Sequence, residues 1–242
     1  VRGPGTRVSS LSKCLFGILG GTEVRGRAGQ EGIHAMTPRT GRAAGAGKAA
    51  NGGTRRSELL GIAAQLFATR GYSQTTVRDI ADEAGILSGS LYHHFASKED
   101  MLREILREFM DDLLAAFTGI AAQEGTPREQ FDALVHTAFA TIHERPFAVA
   151  LYQNESAVVG SLADFEFVGK TSAKIEKLWL GVLQSGRDSG DFRDDLEISL
   201  AYRFIRDTVW TSVRWYHPRG KLRHDVVAQQ YLTMLYGGLL AG

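Results

Sequence analysis

Several features that mark large classes of protein are scarce or missing in this sequence. It has one cysteine, Cys14, so no disulfide framework can form within a chain, and no cysteine-based zinc site either. That usage fits a reducing cytoplasm. No apolar run approaches the roughly 18 residues of a membrane span, so no membrane role is expected. The run from Cys14 to Leu19 behind Lys13 is short and lacks a clear cleavage site, so export is not expected. Sustained alternation of apolar and polar residues with turn dipeptides is absent, which argues against a sheet. Metal chemistry is equally thin. His136 and His143 lie seven apart with no HExxH pattern. The neighbours His93 and His94 point about 100° apart on a helix. No metal site is expected.

The charge is uneven although its formal sum is only +1. The first 50 residues hold eight Lys/Arg against two acids, a net of +6, and the other 192 carry a net of −5. That opening segment also has 11 glycines and no sustained period. Such a stretch buries too little apolar surface to offset its ordering entropy. Residues 1–52 are read either as a disordered basic tail or as an extension ahead of Met36. Gly41 to Ala49 superficially resembles a phosphate loop, but Arg42 and Ala49 stand where glycine and Ser/Thr are required.

From Thr54 onward the apolar residues recur with the period of a helix. Leu59, Ile62, Ala63, Leu66 and Phe67 make one stripe, which Gly71 ends. Further helices are predicted at about 77–84, 88–94, 98–123, 127–144, 147–158, 165–188, 195–217 and 223–240, with Pro127, Pro146, Gly190 and Pro218-Arg219-Gly220 as punctuation. The fold expected is all-α. A three-helix unit with a helix-turn-helix occupies 53–97, and a larger helical domain fills 98–242.

Within the first unit, Thr76 and Asp79 have the spacing of a capping box. Ala84-Gly85-Ile86 makes a tight turn, with Gly85 suited to left-handed backbone. In the short helix that follows, Leu91 and Phe95 anchor one side. The other presents Ser88, Gly89, Ser90, Tyr92, His93 and His94. Small residues allow close approach to a DNA groove, and hydroxyls and rings reach phosphates and base edges. Lys98, beside the amides that open the next helix, is a second candidate for phosphate.

In the larger domain, the segment 195–217 carries a core stripe and, beside it, an arc of Arg203, Arg206, Trp210 and Arg214. A cationic row next to an indole suits an amphipathic anion with an apolar body. Pairing of these arginines with local acids such as Asp207, or a place in a dimer interface, is the structural alternative. Tyr152 joins the ligand candidates as an aromatic wall residue. Most of the other aromatics are expected in the core.

The run Thr75 to Ile86, then Gly89-Ser90-Leu91-Tyr92-His93-His94-Phe95 and Ser97-Lys98-Glu99, resembles the TetR family of repressors. The resemblance implies that Thr76, Tyr92, His93 and Lys98 contact phosphates and that Ser88, Gly89 and Ser90 sit at the groove. Leu87 departs from the family, which usually places a capping Ser there, and Ser88 is expected to take over the cap. The stretches 85–99 and Tyr202 to Thr208, with Ser212 to Tyr216, are similar to the KstR-type branch that regulates sterol catabolism, in particular its second regulator. In that branch Leu87 is shared. The resemblance implies a homodimer built from 195–217 and 223–240, a palindromic DNA operator and no enzymatic activity. It also implies no cofactor, and as inducer a coenzyme A thioester of a steroid-ring remnant. Gly237 and Gly238 would permit close helix approach. An acyl-CoA enzyme using Glu155 or Asp207, and a helical interaction protein, are the readings of other classes. No acid–base pairing supports the enzyme.

Overall fold

The structure, a computed structural model, describes residues 47–154, 159–160 and 162–239. The expectations placed on 1–46, Cys14 and Glu155 lie outside them. Most of the described residues lie in nine α-helices: α1 (Gly47–Arg70), α2 (Val77–Glu83), α3 (Ser88–Leu91), α4 (Lys98–Ala121), α5 (Pro127–Glu144), α6 (Pro146–Asn154), α7 (Glu166–Ser189), α8 (Ile198–Thr211) and α9 (His224–Leu239). Short 3₁₀ turns precede α7 and follow α8. There is no strand among the described residues, and α1 reaches back into the segment assigned to the tail.

The helix ends follow from side-chain chemistry. Thr76 Oγ1 accepts from the Asp79 amide at 3.1 Å and the Asp79 carboxylate accepts from the Thr76 amide at 2.7 Å, closing the expected capping box. Thr126 and Glu129 form a second box around Pro127, the first residue of α5. Ser97 caps α4 through the Asp100 amide. Gly190 ends α7 at φ +83°, a conformation glycine adopts without a Cβ penalty. The predicted helix 195–217 is interrupted at Thr211. Ser212 Oγ donates to the Val209 carbonyl at 2.6 Å, and the chain tightens into a 3₁₀ turn.

One continuous core runs through these helices. In the three-helix head, Leu59, Ala63 and Phe67 of α1 meet Ile80, Leu91 and Phe95, all buried. The body closes around an aromatic series, with Phe117 and Phe131 edge-on to Trp179 and Phe131 edge-on to Phe192. Each such contact adds about 0.5–1.5 kcal/mol beyond area burial. Helix α4 belongs to both parts, packing on α1 at one side and on α7 at the other. Helix α6 packs extensively on α1, and Arg145, just before it, pairs with Asp112 of α4 at 2.7 Å.

The last two helices leave apolar side chains unburied. Leu200 and Phe204 of α8, Trp215 just beyond it, and Val226 and Met234 of α9 are all exposed. The core expectation for aromatics fails at Phe147, Phe204 and Trp215, which are exposed.

Candidate functional site

The first site is the outer surface of the head. The turn between α2 and α3 needs Gly85 at φ +65°, as expected from the sequence. The recognition helix is shorter than the predicted 88–94. Regular α-helix ends at Leu91, and Tyr92 to His94 continue as a turn held by His93 N to Ser90 O and His94 N to Leu91 O. Leu91 and Phe95 are buried beneath it. Tyr92, His93, Gly89 and Thr76 are exposed, and Ser88, Ser90, His94 and Lys98 are half-buried. Ser88 does not take the cap. Leu87 occupies the cap position with extended backbone and no side-chain hydrogen bond, and Ser88 lies inside the helix.

Lys98 differs from a simple phosphate hook. Its Nζ donates to the Tyr72 and Thr75 carbonyls, both at 2.8 Å, and lies 4.2 Å from the centre of the Tyr72 ring. It therefore binds the start of α4 to the loop that introduces α2. Arg55 does similar work on the other side, with Nη2 donating to the Ala84 carbonyl at 2.9 Å. Arg56 sits 4.3 Å from the Phe95 ring centre and pairs with Glu104. Sequence reading missed Arg55 and Arg56, because their partners are brought near only by tertiary packing.

The second site is a cavity of about 530 Å³ in the body. Its walls come from Leu106 of α4, Tyr152 and Gln153 of α6, Val159, Gly160, Leu162 and Phe165 ahead of α7, the first turn of α7, and Arg206 and Asp207 of α8. Two ligand candidates, Tyr152 and Arg206, thus meet at one opening. Tyr152 Oη lies 3.0 Å from Ser172 Oγ and its ring packs against Phe109. Arg206 is half-buried; its Nε donates to Asp207 at 2.8 Å, and its guanidinium lies 5.7 Å from the Tyr202 ring centre. Burial pushes the Tyr202 phenol above its ordinary range, so it stays neutral.

The rest of the predicted arc is not assembled there. Trp210 is buried at 7% exposure and does not line this cavity. Arg203 and Arg214 are exposed outside it. The arc fails as a continuous surface row because α8 turns its Trp210 side toward the core. No cluster of three metal-ligating side chains occurs among the described residues. No described helix is long and apolar enough to cross a membrane.

The family model for bacterial regulatory proteins of the tetR family matches residues 59–105, and that for the tetracyclin repressor-like C-terminal domain matches 124–239. The HTH-type transcriptional repressor KstR2 of Rhodococcus jostii is 50% identical over 185 residues, 76% of this chain and 91% of the relative. KstR2 of Mycobacterium tuberculosis is 48% identical over 186 residues, 77% of this chain and 93% of the relative. The solved structure of the ketosteroid transcriptional regulator KstR2 of Mycobacterium tuberculosis superposes with a TM-score of 0.76 at 47% identity, covering 78% of this chain and 96% of that one. Members of this family are DNA-binding regulators and not enzymes, which sets aside the acyl-CoA enzyme. With a DNA-reading head, a helical body and half its residues shared with KstR2 over most of its length, the chain belongs to the TetR family of transcriptional repressors.

Proposed function

We propose that this repressor works as a homodimer on a palindromic operator and is released by an amphipathic, anionic catabolite. The inducer we favour is a coenzyme A thioester of a steroid-ring remnant, and the genes controlled are those of steroid degradation. Acting on the chromosome places the protein in the cytoplasm. The observation that carries the reading is the meeting of Tyr152 and Arg206 at one cavity whose wall includes α4.

The chemistry of the cavity suits such a ligand. Its volume falls in the usual range of small-molecule sites, roughly 300–1,000 Å³. Phe165, Leu106 and Val168 supply apolar wall, and Arg206 supplies a cation that would exchange its Asp207 partner for the ligand, with Glu166 on the same wall. A CoA thioester is larger than this space, so only its ring portion fits inside. Arg203 and Arg214 are exposed on the same segment of chain, do not line the cavity, and are the cations we assign to the thioester's phosphates.

The walls also suit transmission. Leu106 lies eight residues along α4 from Lys98, about 12 Å, and Lys98 grips the loop before α2. Arg103 bridges Asp100, whose carboxylate accepts from the Ala96 amide behind the recognition helix, to Asp164 beside the cavity wall at 3.2 Å. An occupant that displaces α4 or the turn carrying Asp164 therefore moves the head. Only a ligand that binds the DNA-free form better can release the operator, and a coupling of 1–3 kcal/mol is typical.

Dimerisation is supported by the exposed apolar residues of α8 and α9. A single head reads few base pairs, and two held at fixed spacing read half-sites about one helical turn or a multiple apart. The test is fluorescence anisotropy of a labelled promoter fragment from the repressor's own operon. Steroid-derived CoA thioesters, the matching free acids and straight-chain acyl-CoAs are titrated into the complex. Release by the ring thioester alone is the expected result. Release by a straight-chain thioester would assign a different inducer to the same site.

A further inference from the structure

The cap of the recognition helix is occupied by a side chain that does nothing for the fold. Leu87 is 80% exposed and takes no part in the hydrophobic core. Its backbone performs the capping role, with its carbonyl accepting from the Ser90 amide at 2.8 Å. Its side chain makes no cap hydrogen bond, although Ser, Thr, Asp or Asn at this position typically stabilises a helix by about 1 kcal/mol. In a four-residue helix that loss is not diluted by length. The two other DNA-proximal helices, α2 and α4, both retain side-chain caps, from Thr76 and Ser97.

The position of Leu87 gives it a use. In a helix-turn-helix the N-terminal residues of the second helix are the ones that reach base edges in the major groove. Its neighbours Ser88, Gly89 and Ser90 are small, so nothing beside it projects as far into the groove. The one apolar feature on a base edge in that groove is the C5 methyl of thymine. We propose that Leu87 is a specificity-determining residue that reads a thymine methyl in each operator half-site. Burying about one methyl-sized contact contributes roughly a threefold to fivefold gain in affinity, compounded over the two half-sites of a dimer. The cap hydrogen bond has been exchanged for base recognition.

The inference rests on operator binding by the head and is tested separately from it. Binding of the native chain to its promoter fragment tests the former. Leu87 is tested with Leu87→Ser, Leu87→Met and a series of operators in which each thymine of a half-site is replaced in turn by deoxyuridine, which lacks only the methyl. Leu87→Ser is expected to raise Tm by about 2–4 °C, because the cap is restored, and to weaken operator binding about tenfold. Leu87→Met keeps most of the affinity. One uracil position weakens the native protein and leaves Leu87→Ser indifferent. Equal operator affinity for Leu87→Ser and the native chain would overturn the assignment. So would a loss that persists undiminished on every uracil-substituted operator.

Discussion

Lys98 Nζ donates to the Thr75 carbonyl at 2.8 Å, joining residues 23 positions apart in the chain. The bond fastens the first residue of α4 to the residue before the cap of α2. The DNA-reading head is thereby fixed to the long helix that lines the body cavity. Lys98→Met removes the donor and leaves the Tyr72 and Thr75 carbonyls half-buried without it. A loss of about 1–3 kcal/mol is expected, seen as a lower Tm in calorimetry and weaker operator binding in anisotropy.

Two carboxylates give the stability opposite pH dependences. Hydrogen bonds from Thr76 hold the Asp79 carboxyl below its ordinary range. Its contribution is present above the unfolded value and is lost as the pH falls through the folded one. Burial pushes the Asp132 carboxyl up, so its contribution is lost as the pH rises through that raised value, and its ionised form is a cost at neutrality. Asp132→Asn is expected to raise Tm at pH 7 and to have little effect in acid. Thr76→Ala is expected to lower Tm at pH 7 and to lower it less in acid, where only the cap hydrogen bond from the Asp79 amide is lost. Calorimetry from pH 3 to 8 reads both.

Reading DNA and sensing ligand are assigned to different residues, so they separate by mutation. Tyr92→Ala is expected to weaken operator binding and leave inducer affinity intact. Arg206→Ala is expected to bind operator normally and to need at least about tenfold more inducer for release, as loss of a charge-assisted contact implies. Normal release of Arg206→Ala would place the ligand elsewhere.

The exposed face of α8 and α9 is expected to be covered by a second subunit. Phe204, at 66% exposure, is the most exposed aromatic on that face. Phe204→Asp places a charge there and is expected to give a folded monomer by analytical ultracentrifugation that no longer binds the operator. A dimer that survives this change would contradict the interface.

Gly186 faces the Phe192 ring, and a Cβ there would clash with it. Gly186→Ala forces the ring from its place between the end of α7 and Phe131. Overpacking of this kind costs about 1–3 kcal/mol, which differential scanning calorimetry detects directly.

The sequence reveals those features that depend on near neighbours. The Thr76–Asp79 box, the left-handed Gly85 and the buried pair Leu91 and Phe95 are legible because each is set within a few residues. The ends of α5 are legible from Pro127 and Pro146. What depends on distant chain is hidden. Nothing local says that Lys98 and Arg55 turn to carbonyls of the loop before α2 and of the turn after it. Periodicity places Trp210 beside Arg206, and only the packing of α8 shows that the indole is buried while the guanidinium reaches the cavity. Glu197 caps α8 by accepting from the Ser199 and Leu200 amides, a role glutamate seldom plays and composition does not signal.

Coupling between cavity and head is the centre of the account, and thermodynamic linkage tests it most directly. The dissociation constant of the inducing thioester is measured by calorimetry for the free repressor and for the repressor saturated with operator. Operator affinity is measured with and without thioester under the same salt. Operator is expected to weaken thioester binding by the same factor, about fivefold or more, by which thioester weakens operator binding. A thioester that binds free and operator-bound repressor equally well would contradict it.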